Sequence, residues 1–382
     1  MRWMFLGDFE EHCIREIFLG AAGYVATRPG VVLNPWSTFP GRGTQPTLAD
    51  LHSVDGLLLA EAELGLLGGR DERLHRPHVV FFPDAGRRDI PTVTLDHAAV
   101  GRMAAEHLIQ RGYRHLAFLG LPATPWSQAR GEGFRAAAGA QGLTVRSHDV
   151  LPSALQVLRP PRLGKPGHAM HHVLETLPTP CGIFAVCDIG ACYLVRAAIE
   201  SGFRIPEQFG VVGVDDDPVA GAAAGLAISS VQVPYREGGW RAAALLDKIA
   251  GGKRPPNPPP LAPVRVVVRT STNAFRVVDP LLRRALELIE TRRAGGFRVD
   301  EVVRALHTTK VTLGQRFREH FRMTPAKYIL HRRIEYAKEL LRAGELSVQQ
   351  VSEACHFSKS SYFSRIFKRA TGVSPGALRP AR

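Results

Sequence analysis

The chain has 382 residues, of which 45% are hydrophobic and 22% charged, and its 49 Lys and Arg against 35 Asp and Glu give a formal charge of +14. This length predicts two or three domains, and the hydrophobic content excludes wholesale disorder. The charge is unevenly placed, because residues 281–382 carry a net +12 and residues 1–280 a net +2. Such asymmetry indicates a polyanion-binding module joined to a nearly neutral domain.

The composition also argues against a membrane protein and a disulfide-rich protein. No apolar run approaches the roughly 20 residues of a membrane span, and the apolar positions before Asp8 are too few for a secretory signal. We therefore expect a cytoplasmic protein. The five cysteines form no CxxC pair, so neither a disulfide framework nor a zinc site is indicated, and we expect small buried thiols.

Residues 1–280 alternate short apolar runs, typical of strands, with amphipathic patterns, typical of helices. The alternation predicts parallel sheets covered by helices on both faces. About ten strands are too many for one sheet, so we expect an α/β domain of two similar lobes. The predicted strands cover residues 3–7, 31–34, 55–60, 78–82, 92–96, 115–120, 182–188, 210–215 and 228–233. The predicted helices cover residues 10–24, 98–110, 127–141, 167–177, 189–201 and 236–250.

A proline-rich stretch, Pro255–Pro263, follows the last of these helices. Proline cannot donate the hydrogen bonds of a sheet. We therefore interpret the stretch as a surface turn before one last strand, Val264–Arg269. A flexible linker between domains is the alternative interpretation.

Polar and aromatic side chains follow several predicted strands, where ligands of parallel sheets bind. Carboxylates, an arginine and exposed aromatic rings together predict a sugar site. Asp and Arg bind paired hydroxyl groups, and an aromatic ring stacks on the C–H face of a sugar. The candidate ligand-binding residues are Asp8, Phe9, Glu10, Trp126, Arg130, Cys187, Asp188, Asp215 and Asp216.

Structural roles compete with ligand binding at the acidic positions. An Asp between a strand and a helix is often only an N-cap, and this applies to Asp96 and Asp188. The run Asp215–Asp217 suggests a divalent cation, but consecutive residues of an extended chain point to opposite faces. We therefore expect no metal there.

Other motifs carry little weight. The histidines at 168, 171 and 172 have helical spacing that suits a metal, but they lack nearby carboxylates or cysteines, so a solvated helix face is expected. The Gly-rich run Gly65–Gly69 lacks the element order of a phosphate-binding loop. No nucleotide-binding or hydrolase motif was found, and we expect no cofactor.

The last hundred residues contain an internal duplication. Residues 317–325 match residues 367–375 at an offset of 50, and residues 299–302 match residues 348–351 at an offset of 49. Each copy predicts a short helix, a turn and a second helix, which is the pattern of a helix-turn-helix. The predicted units cover about residues 298–321 and 347–371, joined by a helix at 325–341, and Asp279-Pro280 begins a further helix.

Each second helix has an apolar face that anchors it and a polar face suited to DNA. A single basic helix could be merely solvated, but two copies with matching apolar stripes argue for groove binding. Gln and Arg suit base edges, whereas Ser and Lys more often bind phosphates, and two linked units suit major grooves roughly 34 Å apart. The candidate DNA-binding residues are Thr309, Lys310, Val311, Gln315, Arg318, Lys359, Ser360, Ser361, Ser364, Arg365 and Lys368.

Two parts of the chain resemble known families. Residues 298–379 resemble the DNA-binding domain of AraC/XylS-type regulators, through Leu313-x-x-x-Phe317 and the run Val351–Pro375. Residues 1–276 resemble the periplasmic-binding-protein-like effector domain of LacI-type regulators, and the combination is that of xylose operon regulators. The segments that carry the second resemblance are Ile90–Asp96, Ala129–Phe134, Phe184–Asp188 and Val211–Pro218.

The resemblance implies an effector domain at residues 1–276 and a DNA-binding domain at residues 277–382. It implies that Arg130 contacts the ligand and that Asp215 holds sugar hydroxyls. Cys187 stands where relatives often carry Asn or Thr, which leaves the identity of the sugar open. Val311 and Gly314 stand where relatives carry larger contact residues, so the first unit is expected to read few bases.

The expected function is that of a non-enzymatic, sugar-responsive regulator that activates a pentose (xylose) utilisation operon. The expected partners are double-stranded DNA, a pentose effector, a second copy of the chain in a homodimer, and RNA polymerase, without a membrane. One alternative is an α/β enzyme that processes a sugar or nucleotide and carries a basic targeting tail. Another is an architectural DNA-binding protein whose first domain mediates only assembly.

Overall fold

The structure is a computed structural model that describes residues 1–38, 46–60, 77–82, 90–149, 168–272, 279–291, 298–321 and 323–379. The Gly-rich run at 65–69 and the expected domain boundary between residues 276 and 277 lie outside the described residues.

The first lobe is a five-stranded parallel sheet in the order β2-β1-β3-β4-β5. Its strands are β1 (Arg2–Gly7), β2 (Val32–Ser37), β3 (Gly56–Ala60), β4 (His78–Phe81) and β5 (Thr92–Val93). Its helices are α1 (His12–Val25), α2 (Leu48–His52) and α8 (Tyr235–Ala250). Glycine lets α1 and α8 touch, since a Cβ on Gly239 would lie 1.8 Å from the carbonyl oxygen of Ile17.

The second lobe is a six-stranded sheet in the order β11-β10-β9-β8-β6-β7. It is parallel except for the antiparallel edge pair of β10 and β11. Its strands are β6 (His115–Leu119), β7 (Val145–His148), β8 (Cys181–Ala185), β9 (Phe209–Val214), β10 (Ser229–Gln232) and β11 (Arg265–Val267). Its helices are α3 (His97–Gln110), α4 (Pro125–Gly139), α5 (His168–Thr176), α6 (Asp188–Glu200) and α7 (Pro218–Ala223).

The chain crosses between the lobes three times, after β5, after β10 and before β11. The proline-rich stretch belongs to the third crossing. Within it Leu261 is buried, pairs with Leu95 and exchanges backbone hydrogen bonds with Thr94 and Asp96, and the Asn257 amide bonds Thr92. The stretch is therefore a packed crossover that leads into the predicted last strand. The alternative of a flexible linker is wrong.

The remaining helices form the helical domain around two apolar cores. They are α9 (Pro280–Thr291), α10 (Val299–Ala305), α11 (Lys310–Phe321), α12 (Pro325–Ala343), α13 (Val348–Ala354) and α14 (Ser360–Thr371). The first core joins α9, α10, α11 and the start of α12, and the second joins the end of α12 with α13 and α14. At 19 residues α12 is about 28 Å long, so one rigid helix carries both units.

The duplication extends to the backbone of the two turns. His307 and His356 both adopt a left-handed conformation, with φ of 48° and 55°. The backbone N–H of the residue after each histidine donates to a carbonyl oxygen five residues earlier. Thr308 donates to Val303 at 3.1 Å, and Phe357 donates to Ser352 at 3.0 Å. Both helix pairs are therefore held by the same turn geometry.

The predicted architecture is confirmed, with two α/β lobes and then two helix-turn-helix units. Strand β7 and the short helices α2 and α7 were not predicted. The sequence of β7 is VRSH, with two of its residues exposed at the sheet edge, so it lacks the apolar run that identifies a buried strand. The other boundaries differ from prediction by a few residues, as frayed ends do.

Candidate effector cleft and DNA-binding surface

Residues at the carboxyl ends of both sheets meet between the two lobes, in a region that we call the candidate cleft. Because parallel strands end at one edge, residues distant in sequence meet there. The start of α1 and the residue after β4 come from the first lobe. The starts of α4 and α6 and the end of β9 come from the second, and the start of α8 comes from the second crossing.

Arg130 lies in α4, next to the candidate cleft, and is 4% exposed. Its Nη1 donates to the carbonyl oxygen of Val186 at 2.5 Å, and its guanidinium carbon lies 4.8 Å from the ring centroid of Trp126. Its Nε donates to Nδ1 of His97 at 3.4 Å. This requires a neutral imidazole, and burial followed by the Arg130 charge lowers the pKa of His97 to about 3. The guanidinium is therefore held rigidly in place.

Asp215 ends β9 and faces Arg130. Its Oδ1 accepts a hydrogen bond from the hydroxyl of Tyr235 at 2.6 Å, so the second lobe is tied here to the start of α8. Burial raises the pKa of Asp215, while Arg130, the Tyr235 hydroxyl and His12 act to lower it. Its left-handed φ of 110° turns the chain sharply after the strand. The side chain retains an oxygen that could accept from a ligand hydroxyl.

Two thiols flank Asp215 from opposite lobes. Burial, together with Glu11 and Asp215, raises the pKa of Cys13 well above its usual value. Burial and then Asp215 raise the pKa of Cys187 to about 12. Both groups are therefore uncharged thiols at neutral pH. Cys187 is also the N-cap of α6, where its sulfur accepts from the Gly190 amide at 3.4 Å.

Aromatic rings form the apolar walls of the cleft. Phe9 packs against Phe5 and Phe18, at ring-centroid distances of 5.6 and 5.2 Å. Phe82 follows β4 and lies 5.6 Å from the ring of Tyr235. Trp126 is half-buried across the cleft, beneath Arg130. Aromatic rings of this kind can stack on the C–H faces of a sugar.

The other candidates at the end of β1 point in different directions. Asp8 is half-buried and its Oδ1 accepts from the Glu10 amide at 2.9 Å, which organises the turn before α1. Glu10 is exposed, and its carbonyl oxygen accepts from Arg15.

Asp188 and Asp216 are occupied by internal partners. Oδ2 of Asp188, which is 2% exposed, accepts from the Asp217 amide at 2.8 Å and the Ser230 hydroxyl at 2.9 Å. Asp216 pairs with Arg269 and accepts from Gln232 at 3.0 Å. These contacts brace the ends of β9 and β10. The N-cap of α6 is Cys187, so the expected N-cap role of Asp188 is wrong. Oδ1 of Asp188 is buried without a hydrogen-bond partner among the described residues, and ligand binding by Asp188 or Asp216 stays a prediction.

Two further candidates, Asp96 and His171, also have structural partners. Asp96 caps α3, since its Oδ1 accepts from the Ala99 amide at 2.8 Å. His171 bonds the Ser201 hydroxyl at 2.6 Å and lies 3.1 Å from Glu175 on an exposed face. Within the described parts of the chain, no three His, Cys, Asp or Glu side chains are placed to hold a metal ion.

Cys13, His97, Phe82 and Tyr235 were missed by the sequence analysis. Phe82 follows β4, and Tyr235 lies three residues after β10, so the rule that ligands meet strand ends also points to both of them. Nothing local marks Cys13, which is brought to the cleft by the first turn of α1.

The first helix-turn-helix presents a mixed surface. Leu313, Phe317 and Phe321 are buried, as predicted. Thr309 caps α11 by accepting from the Thr312 amide at 3.1 Å, which gives its hydroxyl a structural partner. The other four candidates on this helix are all exposed, and they are Lys310, Val311, Gln315 and Arg318.

The second helix-turn-helix presents a more basic surface. Phe363 and Phe367 are fully buried and anchor α14. Lys359 is the N-cap residue and makes no side-chain capping bond. Arg365 lies 5.6 Å from the ring centroid of exposed Tyr362. The outward candidates on this unit are Lys359, Ser361, Arg365 and Lys368, which are exposed, and Ser360 and Ser364, which are half-buried.

The helical domain contacts the second lobe through α12. Gln110, the last residue of α3, bonds His331 at 3.0 Å, and Arg265 of β11 lies 3.6 Å from Glu339. Burial and then Glu335 raise the pKa of Glu106, so α3 and α12 lie side by side. A cavity of about 860 Å³ opens next to this contact, between α3, α4 and the first helix-turn-helix.

Within the described part of the chain, none of the helices has the length and apolar character needed to cross a bilayer.

Comparisons with known proteins match two separate parts of the chain. Residues 105–272 match the periplasmic binding protein-like domain family, and residues 302–381 match a helix-turn-helix domain family. The xylose operon regulatory protein of Haemophilus influenzae is 29% identical over 314 residues, which cover 78% of this chain and 76% of the relative. That of Escherichia coli K12 is 28% identical over 297 residues, 75% of this chain and 73% of the relative.

A solved structure described as the xylose-binding transcription activator xylR has the same fold. The match has a TM-score of 0.58 and 24% identity, and it covers 99% of this chain and 97% of that one. The cellobiose complex of the regulator CelR matches 71% of this chain and 84% of its own, with a TM-score of 0.54. The chain thus consists of a periplasmic binding protein-like domain followed by a helix-turn-helix domain.

Proposed function

We propose that this chain is a sugar-responsive, DNA-binding transcription regulator whose effector is a pentose such as xylose. The observation that carries the proposal is the meeting of Arg130, Trp126 and Asp215 in a cleft between two lobes, in a chain that ends in two helix-turn-helix units. The full-length relatives, which are xylose operon regulators, support it.

In this proposal the effector is bound by groups that are already in place. The Arg130 fork donates to adjacent hydroxyls and Asp215 accepts from them. Phe9, Phe82 or Trp126 stacks on the apolar face of the sugar ring. The neutral thiols of Cys13 and Cys187 offer only weak hydrogen bonding, so the effector is expected to present few hydroxyls to them.

Ligand binding then favours one arrangement of the lobes. The sugar contacts groups from both lobes, so it binds more tightly when the cleft is closed, and only this differential affinity can shift the equilibrium. Closure moves α3 and with it the helical domain. We infer that the regulator acts as a homodimer in the cytoplasm, activates its operon and cooperates there with RNA polymerase.

Calorimetry against a panel of pentoses and hexoses tests the effector site. We expect one pentose to bind saturably. Because Arg130 is buried and donates several hydrogen bonds, Arg130→Ala should weaken binding on the order of 100-fold. The matched control is Arg135→Ala on the same helix, at an exposed position bonded to Ser147. Binding of no pentose or hexose would contradict a sugar effector.

A complementary substitution separates the two domains. We expect Arg365→Ala to weaken DNA binding about 5- to 150-fold, because it removes a charge that contacts bases or phosphates, and to leave sugar affinity unchanged. Arg196→Ala, at an exposed position of the effector domain, serves as the control. Turnover of the bound sugar by the wild-type chain would instead support an enzyme.

A further inference from the structure

We propose that the first helix-turn-helix unit reads its part of the operator through Val311, whose side chain packs against the C5-methyl group of a thymine. The inference rests on the proposed function, since it requires that this chain binds duplex DNA. It names the chemical group that this unit recognises, which neither the fold nor the relatives specify.

The exposure of Val311 gives the first observation. At 75% exposed it is the most exposed large hydrophobic side chain in the described part of the chain. A scattered exposed valine is ordinary on a protein surface. This one is the second residue of α11, and the N-terminal residues of the second helix are those that reach base edges in a helix-turn-helix.

The polar neighbours of Val311 give the second observation. The ammonium of Lys310 lies 2.6 Å from the Asp300 carboxylate, and the Gln315 amide donates to Glu319 at 2.7 Å. Both groups thus have acidic partners within their own domain, which also oppose the approach of phosphates. The sequence of α14, by contrast, contains no Asp or Glu. We therefore expect the second unit to make most of the hydrogen bonds to base edges.

The space beside Val311 gives the third observation. Gly314 and Arg318 follow it by three and seven residues, so all three lie on one face of α11. A Cβ on Gly314 would have only the Arg318 guanidinium within 4 Å, at 3.7 Å. Gly314 is itself buried, so the Arg318 guanidinium covers this position and lies on the same helix face as Val311.

The chemistry of the groove identifies the partner. In the major groove only thymine presents a methyl group, and an apolar side chain discriminates it from the other bases by contact. The net charge of the helical domain favours DNA over an apolar protein surface as the occupant, because residues 281–382 carry a net +12. A branched aliphatic side chain without polar groups matches the methyl group and no hydrogen-bonding edge.

The experiment replaces thymine by deoxyuridine, which removes only the methyl group. An operator is first selected from a random duplex library with the wild-type chain, and each thymine in it is then replaced singly. Burying one methyl group contributes about 0.8 kcal/mol, so we expect one replacement to weaken wild-type binding about fourfold. Val311→Ala should bind the two duplexes equally, and Val311→Thr, which keeps a methyl, should retain part of the difference.

The control is Val219→Ala, which removes a valine that is 62% exposed on the effector domain. This variant should show the same loss of affinity as the wild type when thymine is replaced by deoxyuridine, a loss that we call the uracil penalty. If an operator is enriched but no thymine shows a penalty that Val311→Ala abolishes, the inference is wrong and the proposed function stands. If no sequence is enriched, the proposed function fails as well. A loss of self-association in Val311→Ala, with an unchanged uracil penalty, would assign Val311 to a protein contact instead.

Discussion

Burial decides the charge of several single residues in this molecule. Desolvation, followed by the charges of Arg111 and Arg332, lowers the pKa of His107 well below its usual value, and its Nε2 lies 2.8 Å from the Thr272 hydroxyl. His107 is therefore a neutral imidazole that ties α3 to the end of the effector domain.

This burial predicts a pH dependence of stability. Below pH about 6.5 the unfolded chain protonates His107 and the folded chain does not, so stability is lost as the pH falls. Between pH 7.5 and 5.5 we expect wild type to lose about 1.4 kcal/mol more than His107→Gln. Urea unfolding followed by tryptophan fluorescence measures this, since all four tryptophans precede residue 277.

The control for the histidine prediction is His115→Gln, which alters an exposed residue at the start of β6. Its pH dependence should match that of the wild type. Equal pH dependence of wild type and His107→Gln would show that His107 titrates normally in the folded chain.

At the scale of elements, α13 depends on a cap at its first turn. The Ser347 hydroxyl accepts a hydrogen bond from the backbone N–H of Gln350 at 3.2 Å. In return, Oε1 of Gln350 accepts from the backbone N–H of Ser347 at 2.8 Å. This capping box satisfies two donors that the helix cannot. The short α13 has seven residues, too few to be stable without such support.

Removing this cap should destabilise the second helix-turn-helix. We expect Ser347→Ala to cost about 1 kcal/mol, measured by hydrogen exchange of the α13 amides in the full chain. The control is Ser374→Ala, because Ser374 precedes a 3-10 helix without a side-chain capping bond. Equal protection of α13 in Ser347→Ala and wild type would contradict the role of the cap.

Helix α3 joins the two functional surfaces. At its first residue His97 bonds Arg130 in the cleft, and at its last residue Gln110 bonds His331 of α12. Its 14 residues span about 20 Å. We therefore predict that α3 transmits a movement of Arg130 to the helix that holds both helix-turn-helix units.

Breaking the contact at the end of α3 should uncouple the two sites. We expect Gln110→Ala to leave the separate affinities for sugar and for DNA within about twofold, and to change the coupling between them by about 0.5–2 kcal/mol. DNA titrations with and without sugar, and the reciprocal sugar titrations, measure the coupling. Gln128→Ala, at an exposed position of α4, is the control. An unchanged coupling in Gln110→Ala would exclude this route.

At the scale of the whole molecule, the two domains differ in net charge. The effector domain is nearly neutral and the helical domain carries the excess. The affinity for DNA should therefore fall linearly with salt on a logarithmic scale, by a slope of about 0.9 for each phosphate neutralised. Sugar affinity, which depends on buried groups, should hardly change.

The salt slope can be assigned to single residues. We expect Lys368→Ala to reduce it by about 1, because one phosphate contact is lost. Lys248→Ala, at an exposed position on α8, should leave it unchanged. A salt-independent affinity of the wild-type chain would exclude binding to the DNA backbone.

The amount that the sequence predicted differs between the two domains. Local patterns determine the helical domain, because apolar stripes, caps and a repeat of about fifty residues identify both units and their anchors, such as Phe317 and Phe367. In the effector domain the strands were predictable from their apolar runs. The strand β7 was not, because an exposed edge strand has no such run.

The candidate cleft was predictable in part. Arg130, Trp126 and Asp215 follow from the rule that ligands meet the carboxyl ends of parallel strands. Tertiary contacts alone distinguish them from Asp188 and Asp216, whose carboxylates brace the neighbouring strand ends. Identical residue types at neighbouring positions thus receive different roles, because a side chain's partners come from distant parts of the chain.

The sequence by itself determined the two-part organisation, the charge separation and the duplicated DNA-binding units, since each depends on composition or on short-range periodicity. The tertiary structure decided which strand-end residues share the cleft, the neutral state of His97 and the thiols, and the contact of α3 with α12. The physical reason is that burial, hydrogen-bond partners and helix packing join residues that lie up to 223 positions apart, a separation that no local pattern encodes.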